Sequence, residues 1–324
     1  MKMLNKNRLN GFLFMSTLLF FLLGGVFLLL AIGADAVNPR ADFWRLVRDG
    51  ISGYTAVSSE GHSVLIHNGG ENWREIRNLL IINITPWLMG GVLAVIVIFH
   101  LIVGGDKLEE PRTGIMIKRY SLAERLLHWY TAILFIILAI TGLSILLGRA
   151  GLIPLVGHAA FSTYLSAAKI VHNVSGPFFL VGLLIEVVIW FRDNLIRMLD
   201  LRWFKNLGGM VGSSPRPHSG KVNGGEKAWF WLMTIFGAGV GVTGLLLDFP
   251  LWEQTRFTMQ LSLAIHAIVG VLFVTASFGH IYMGTLGSEG GFVGMWRGRV
   301  DAAWAKQHAD LWYKEVAEKD ERLE

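Results

Sequence analysis

The sequence predicts an all-α integral membrane protein, in which a four-helix bundle follows two additional N-terminal transmembrane helices. Of its 324 residues, 53% are hydrophobic and only 16% are charged, a composition typical of membrane-embedded chains rather than of soluble domains. Six apolar stretches each reach the roughly 20 residues that a helix needs to cross a hydrocarbon core. They cover residues 11–32, 79–103, 126–147, 170–191, 228–247 and 261–283.

The distribution of Lys and Arg predicts the sidedness of these spans, because cytoplasmic loops retain basic residues. Basic residues are dense before the first span, between the second and third, between the fourth and fifth, and after the sixth. The connections at 149–169 and 248–260 carry few. Six crossings with both termini in the cytoplasm follow. We therefore attribute the net charge of +5 to orientation in the membrane rather than to nucleic-acid binding.

The N-terminal segment, residues 1–36, has features of both an anchor and a signal peptide. It has a basic start and an apolar stretch, and it ends in Ala34-Asp35-Ala36, which resembles a signal-peptidase site. Its apolar stretch of about 22 residues exceeds the 7 to 15 of a signal peptide, so we interpret it as a retained anchor. Cleavage would remove one helix and leave the remaining topology unchanged.

The remaining boundaries follow from polarity. Residues 37–77 are a polar extracytoplasmic segment, and residues 78–110 hold the second transmembrane helix. The segment 208–225 is rich in Gly, Ser and Pro, which breaks any helix between the fourth and fifth spans. Residues 284–324 mix both charge signs with aromatics, which predicts a cytoplasmic amphipathic surface helix or a partner-docking arm.

Four histidines lie within or at the start of the apolar spans, where an ionisable side chain is costly and usually functional. His266 and His280 share the sixth span and are fourteen residues apart. With about 100° and 1.5 Å per residue, they occupy nearly the same helix face roughly 21 Å apart. His128 begins the third span and His172 begins the fourth. One helix therefore offers a ligand near each side of the bilayer.

Depth in the membrane pairs these histidines. The third span starts in the cytoplasm while the fourth and sixth start outside, so His128 matches His280 and His172 matches His266. Two pairs at two depths suit two haems b, each held from two helices. Residues 117–283 are thus predicted to form a four-helix di-haem cytochrome b bundle that transfers electrons. The alternative for any single histidine is a hydrogen-bonded packing residue, which is at least as frequent.

A cation precedes two of these histidines by one helical turn. Arg125 lies three residues before His128, and Lys169 lies three residues before His172. Each cation shares a helix face with its histidine while reaching toward the interface. Haem propionates would point there and need a positive partner, so both cations are predicted to bind the cofactor.

Other candidate redox or metal groups are few. The chain has no cysteine, which excludes disulfides, thiolate-bound iron–sulfur clusters and c-type haem. Glu186 lies within the fourth span, where we prefer a carboxyl bonded to a neighbouring helix over a proton-path residue. The remaining histidines are interpreted as non-ligands: His62, His67, His100, His158, His218 and His308.

The sequences around the four histidines resemble a known family. R-L-L-H-W, K-I-V-H-N-V-S-G, L-A-I-H-A-I-V-G and G-H-I-Y-M surround His128, His172, His266 and His280, and the tail reads R-G-R-V-D-A-A-W-A-K-Q-H-A-D-L-W-Y-K-E. These motifs resemble the cytochrome b, or gamma, subunit of membrane-bound respiratory formate dehydrogenase. The resemblance runs from about residue 117 to the end. The first hundred or so residues depart from the shortest members of that family.

The resemblance implies a function and partners. A molybdopterin alpha subunit, carrying molybdenum or tungsten, oxidises formate, and an iron–sulfur beta subunit passes the electrons on. This chain would contain no formate-oxidising site and would carry the electrons through two haems b to quinone, in a bacterial inner membrane. The family's quinone pocket lies beside the cytoplasmic haem, which implicates Asn223, Gly225 and His280. Asn223 equally fits a plain turn residue.

Two other functions stay open at this stage. A cytochrome b subunit of a nickel–iron hydrogenase or of a thiosulfate reductase resembles the same bundle and differs mainly in its electron donor. A membrane transporter or haem-free scaffold would use the histidines for proton relay or packing. Broken helices and charges at the midplane would favour transport, whereas these spans are largely unbroken.

Overall fold

The computed structural model describes residues 75–210, 216–250 and 254–318. Among these, residues 140–172 form one compact unit, and residues 75–139 with the described part of 173–318 form another. The predicted first span, the predicted extracytoplasmic segment up to residue 74 and the last six residues of the tail lie outside the described residues.

The described residues form helices joined by short connections and one pair of short strands. In chain order these elements are α1 (Ile82–Val103, preceded by a π-helical turn at Ile76–Ile81), β1 (Met116–Lys118), α2 (Leu122–Gly151), α3 (Ile153–Trp190), α4 (Met198–Lys205), α5 (Gly224–Asp248), α6 (Arg256–Tyr282), α7 (Gly291–Arg297), β2 (Arg299–Asp301), α8 (Ala302–His308) and α9 (Asp310–Ala317). Helices α1, α2, α3, α5 and α6 are long and apolar enough to cross a membrane. The last five predicted spans each fall on one of them. The predicted all-α membrane fold class is confirmed.

Helix α3 is longer than the sequence analysis predicted. It has 38 residues and one break at Gly157, whose φ is 79°, and it includes most of the predicted external connection 149–169. Hydropathy underestimated it because Ser and Thr alternate with apolar residues there. Phe161 and Tyr164 nevertheless bury one face. The Tyr164 hydroxyl lies 2.7 Å from Ser144 Oγ of α2, which satisfies both polar groups and holds this part of α3 in place.

Side chains from four helices form the core of the larger unit. Phe179 and Leu183 of α3 and Phe273 of α6 are fully buried, and Trp229 of α5 and Phe135 of α2 are partly buried against them. Phe135 and Phe273 have ring centroids 4.8 Å apart. This aromatic cluster brings α2, α3, α5 and α6 together and so positions the residues at the ends of these helices.

Two glycines on one face of α5 set its approach to α3. A Cβ at Gly241 would lie 2.6 Å from a methyl group of Leu180, and a Cβ at Gly237 would overlap Leu183. Because the two glycines are four residues apart, they stack on the same side of the helix. Their missing side chains make the groove into which the leucines of α3 fit.

A folded cap covers the end of the bundle at which α2 begins and α6 ends. We define this end cap as residues 104–120, 216–223 and 288–317. Strand β1 pairs antiparallel with β2, with Ile117 opposite Val300. Both side chains are buried with Trp304 and Ala305 of α8. The pairing joins two segments that are far apart in sequence, because β1 precedes α2 and β2 follows α7.

Ion pairs and hydrogen bonds close the end cap. Arg216 binds the Asp106 carboxylate at 2.6 and 2.9 Å and Glu109 at 2.7 Å. Asp310 accepts a hydrogen bond from the Ser219 amide at 2.8 Å and lies 2.6 Å from His218 Nδ1. The described part of the predicted amphipathic tail is therefore folded against the rest of the chain. Charge alternation alone did not indicate this, because it cannot distinguish a membrane surface from a protein surface.

Arg119 links the end cap to the start of α5. Its guanidinium is buried, donates to both Glu226 oxygens at 2.9 Å, and lies 4.7 Å from the centroid of the Trp304 ring. Burial alone would lower the pKa of Arg119, but the nearby Glu226 carboxylate outweighs it and raises that pKa. The guanidinium therefore stays charged and holds the first turn of α5 against the end cap.

The end cap is expected to loosen in mild acid because of His308, whose ring packs against Trp304 with centroids 4.8 Å apart. Burial lowers the pKa of His308 to about 4, with Asp106 and Glu226 raising it and Arg216 and Arg119 lowering it. The unfolded segment has the higher pKa and takes up its proton first. The stability that the neutral His308 gives the folded end cap above pH 6.5 is thus lost progressively as the pH falls toward 4. Amide hydrogen exchange of residues 299–317, corrected for the pH dependence of the intrinsic rates, measures this loss.

The matched control is His308→Phe, which keeps an aromatic ring against Trp304 and removes the titration. Between pH 6.5 and 5, protection of the end cap should fall by less in this variant than in the original protein. An equal loss of protection in the variant and the original protein over that window would contradict the role of His308.

Candidate functional site

His128 and His280 face each other at the capped end of the bundle. His128 lies in the second turn of α2 and His280 in the last turn of α6, and their ring centroids are 6.2 Å apart. A histidine–metal bond is about 2.0 to 2.1 Å and the ring centre lies about 1 Å further, so two imidazoles on opposite sides of one metal are about 6 Å apart. The observed separation fits a single iron bound by both.

Aromatic side chains surround this pair. The Trp229 ring stacks on His280 with centroids 4.4 Å apart and an angle of 10° between the planes. Trp129 meets His128 edge-on at 5.5 Å and also contacts Trp296 at 5.7 Å. These large rings fix the imidazole planes and keep the surroundings apolar, as a haem macrocycle requires.

Arg125 has a buried donor that a haem propionate would satisfy. It lies one turn before His128, and its Nε is buried without a hydrogen-bond partner among the described residues. A buried donor of this kind is costly unless a ligand or water accepts from it. Gly298 makes room for this side chain, because a Cβ there would lie 3.1 Å from Arg125 Cδ. The residues present therefore fit a haem b.

His266 of α6 is held by α5. Its Nδ1 lies 3.0 Å from the hydroxyl oxygen of Thr243. The next residue, Gly244, passes close to the ring, since a Cβ there would lie 3.3 Å from His266 Cε1. The imidazole is thus fixed by hydrogen bonding to α5 and by contact with the backbone of that helix.

His172 of α3 is held in the same way by α2. Its Nδ1 lies 2.9 Å from the Thr141 hydroxyl oxygen, and a Cβ at Gly142 would lie 3.0 Å from His172 Cε1. Lys169, predicted as a cofactor-binding cation, is exposed one turn earlier on α3. Thr141 and Thr243 were not predicted as functional residues. The repeated tripeptide T-G-L at 141–143 and 243–245 was the signal that could have found them.

Comparison with known families decides the classification. A family model described as prokaryotic cytochrome b561 matches residues 119–298, more than half of the chain. The chain belongs to the prokaryotic cytochrome b561 family. It is accordingly a membrane cytochrome that binds haem b.

Curated relatives of this cytochrome b are subunits of formate dehydrogenase. The cytochrome b556(fdo) subunit of Escherichia coli K12 is 30% identical over 209 residues, which are 64% of this chain and 96% of that protein. The nitrate-inducible cytochrome b556(Fdn) subunit of the same strain is 28% identical over 214 residues, 64% of this chain and 95% of that protein. The Shigella flexneri subunit gives the same values. The predicted resemblance is confirmed.

Two of the three quinone-site candidates, Asn223 and Gly225, lie at the start of α5 in this cytochrome b, and the third, His280, lies in the last turn of α6. Asn223 is the N-cap of α5. Its Oδ1 accepts a hydrogen bond from the Glu226 backbone amide at 3.0 Å, and its backbone amide donates to the Glu226 carboxylate at 3.0 Å. Trp203 of α4 covers Gly225, so that a Cβ there would lie 2.7 Å from the indole. Both residues thus have structural roles, which is consistent with the interpretation of Asn223 as a turn residue.

The buried carboxyl of Glu186 is bonded to a neighbouring helix, as predicted. It is 2% exposed and forms a hydrogen bond with Thr131 Oγ1 of α2. Thr131 Oγ1 also lies 2.8 Å from the Leu127 carbonyl oxygen. Gly182 permits this approach, because a Cβ there would lie 2.6 Å from the Thr131 methyl group. The pair joins α2 and α3 one turn from His128.

The histidines interpreted as non-ligands have other surroundings where they are described. His100 Nδ1 lies 3.1 Å from the Tyr282 hydroxyl, His158 is exposed, and His218 and His308 belong to the end cap. His62 and His67 lie outside the described residues. Among the residues that the structure describes, no cluster of three or more His, Asp or Glu side chains suits a bare metal ion.

Thr131→Val should destabilise this cytochrome b by about 1 to 3 kcal/mol, because it leaves the buried Glu186 carboxyl without its hydrogen-bond partner. Replacing both residues, in Thr131→Val with Glu186→Leu, should recover much of that loss. With Glu186→Leu alone as the second single variant, thermal unfolding of the purified protein in detergent measures the coupling as a double-mutant cycle. Thr285→Val, at an exposed site, is the control. A double variant no more stable than Thr131→Val would show that the two side chains are not coupled.

Proposed function

We propose that this chain is the membrane-anchor cytochrome b subunit of a formate dehydrogenase. In this proposal it accepts electrons from an iron–sulfur beta subunit, which in turn receives them from a molybdopterin alpha subunit that oxidises formate. It passes these electrons through two haems b to a membrane quinone. The chain itself contributes the electron-transfer part of a formate:quinone oxidoreductase and no formate-oxidising site.

The facing imidazoles of His128 and His280 are the observation on which this proposal depends. A haem iron held by two histidines has no open coordination position, which favours electron transfer over oxygen chemistry. His128 and His280 supply the two nitrogens, Trp229 and Trp129 hold their rings, and the orphaned Arg125 Nε is available to a propionate. These groups are provided by elements that the bundle core and the end cap hold in place.

His172 and His266 are proposed as the ligands of the second haem, with Lys169 near its propionates. The argument for pairing them is their matched depth along the spans, as in the sequence analysis. Support comes from the surroundings of each residue taken separately. Each imidazole is oriented through Nδ1 by a threonine of a neighbouring helix, the arrangement expected of a metal-binding histidine.

The capped end of the bundle is proposed to face the cytoplasm. Basic residues concentrate there, both in the end cap and around α4, and the positive-inside rule assigns such segments to the cytoplasmic side. Both termini would then be cytoplasmic if the first predicted span is retained. The haem held by His128 and His280 would be the one nearer the cytoplasm, and the other would be nearer an external donor.

Quinone is proposed to react at this same end, near Asn223, Gly225 and His280. Reduction of a quinone to a quinol takes two electrons and two protons. The protons would come from the aqueous side of the end cap, and the electrons from the opposite side of the membrane. This separation would generate a proton-motive force. The Asn223 side-chain amide is the candidate donor to a quinone carbonyl, while its Oδ1 caps α5.

Similarity to two formate dehydrogenase subunits supports formate as the source of electrons. A nickel–iron hydrogenase or thiosulfate reductase subunit with the same bundle would differ in the proteins that bind it. Isolation of the native complex in mild detergent separates these alternatives. We expect a molybdopterin protein and an iron–sulfur protein to copurify with formate:quinone activity; a hydrogenase large subunit with hydrogen uptake would contradict the assignment of the donor.

His280→Ala should remove one of two haems and abolish quinone reduction, because it leaves His128 without its opposite ligand. Haem is counted per polypeptide by the pyridine haemochrome assay, and reduced-minus-oxidised spectra show the b-type band. His158→Ala is the matched control, since His158 is exposed and should leave both haems in place. Full haem content and turnover in His280→Ala, or a colourless original protein, would refute the proposal and favour a transporter or scaffold.

A further inference from the structure

Two histidines of this chain each contact a Thr-Gly dipeptide on a neighbouring helix. Thr141-Gly142 of α2 contacts His172 of α3, and Thr243-Gly244 of α5 contacts His266 of α6. In each case the threonine oxygen lies at 2.9 or 3.0 Å from the histidine Nδ1. In each case the glycine brings backbone against the ring carbon Cε1. The two dipeptides lie on different helices and are about a hundred residues apart, so one local sequence context does not explain both contacts.

The hydroxyl proton of Thr243 defines the direction of its bond to His266. This hydroxyl donates to the Gly239 carbonyl four residues earlier, at 2.6 Å. A hydroxyl group has a single proton, so the Thr243 oxygen accepts from the His266 ring. Nδ1 therefore carries the imidazole proton, and the lone pair of the neutral ring is on Nε2. This is the tautomer that a histidine needs in order to bind a metal through Nε2.

We propose that the Thr141-Gly142 and Thr243-Gly244 dipeptides are positioning elements that hold His172 and His266 as Nε2 ligands of haem iron. This inference rests on the proposed function, in which these two histidines are haem ligands. The threonines select the tautomer and make the imidazole a stronger electron donor to the metal. They do not touch the iron, and we therefore assign them no catalytic step.

The glycines restrict the rotation of the His172 and His266 imidazole rings. A Cβ at Gly142 would lie 3.0 Å from His172 Cε1, and a Cβ at Gly244 would lie 3.3 Å from His266 Cε1. Both distances are shorter than an ordinary van der Waals contact, so an added methyl group would push or turn the ring. The hydrogen bond and the close backbone together leave the imidazole one orientation about its Cβ–Cγ bond.

The hydrogen bond also makes a prediction about redox potential. An Nδ1–H that donates to an oxygen increases the electron density on Nε2, which stabilises ferric iron relative to ferrous iron. Thr243→Val removes the hydroxyl acceptor while keeping the shape of the side chain, and it leaves the hydrogen bond between the His266 ring and the Val240 backbone. The midpoint potential of one haem should rise by about 59 mV. For a one-electron couple, this lowers the ratio of oxidised to reduced haem at a fixed potential roughly tenfold.

The experiment compares five variants of the purified complex by spectroelectrochemical titration and by low-temperature EPR of the ferric haems. Thr243→Val and Thr141→Val should each shift one haem upward and change its EPR g-values, and Thr243→Ser should restore the original values. Thr234→Val is the matched control, because Thr234 lies on the same helix and donates to the Phe230 carbonyl at 2.7 Å. Gly244→Ala tests ring orientation and should alter the g-values even with the hydrogen bond intact.

The outcomes distinguish this inference from the function on which it rests. Unchanged potentials and g-values in Thr243→Val and Thr141→Val, with both haems bound, would overturn the positioning role and leave the ligands in place. Shifts in two different haems would retain the positioning role and refute the pairing of His172 with His266. Should Thr243→Val fail to accumulate, Thr141→Val and Gly244→Ala decide, and unchanged EPR in both would overturn the inference.

Discussion

A polar side chain inside an apolar bundle needs a partner, and this constraint governs the polar groups of the structure. Glu186 has Thr131, His172 has Thr141 and His266 has Thr243. Each pair lies between two neighbouring helices, so satisfying the polar group also fixes how those helices approach. Where a buried group beside the paired histidines has no partner among the described residues, as at Arg125 Nε, an external ligand is the natural acceptor.

The spacing of His128 and His280 depends on structure well beyond the two rings. Four helices meet in the aromatic core around Phe179 and Phe273, which fixes the bundle in its middle. The end cap fixes the helix ends, because Arg119 binds Glu226 at the start of α5 and lies just before α2. A separation that matches two bonds to one metal is therefore held from both directions.

Much of this architecture could be predicted from the sequence, because long apolar stretches and basic loops reflect the membrane directly. The histidines stood out for the same reason, since an ionisable group in an apolar run is conspicuous. The partners of His172 and His266 did not, because a threonine in a membrane helix usually bonds to its own backbone and carries no mark of a second role. Only the repeat of T-G-L distinguished Thr141 and Thr243.

Sequence patterns did not reveal contacts between distant segments or the full extent of α3. Helix α3 extends through a stretch whose hydroxyl groups lowered its hydropathy, although Tyr164 and Ser144 satisfy each other there. The alternating charges after residue 284 fitted a surface helix equally well. Their partners, such as Arg112 for Glu289, lie more than a hundred residues away, and periodicity within one segment cannot identify them.

The pairing of β1 with β2 has a practical meaning for work on this protein. Residues 119–298, which the family model matches, exclude both strands and the two helices, α8 and α9, that follow them. A fragment trimmed to those limits would lack Trp304 and so uncover the Arg119 guanidinium that lies against its ring. The recognisable domain and the unit that folds are therefore different lengths of chain, and dissection by homology would remove a whole hydrophobic cluster.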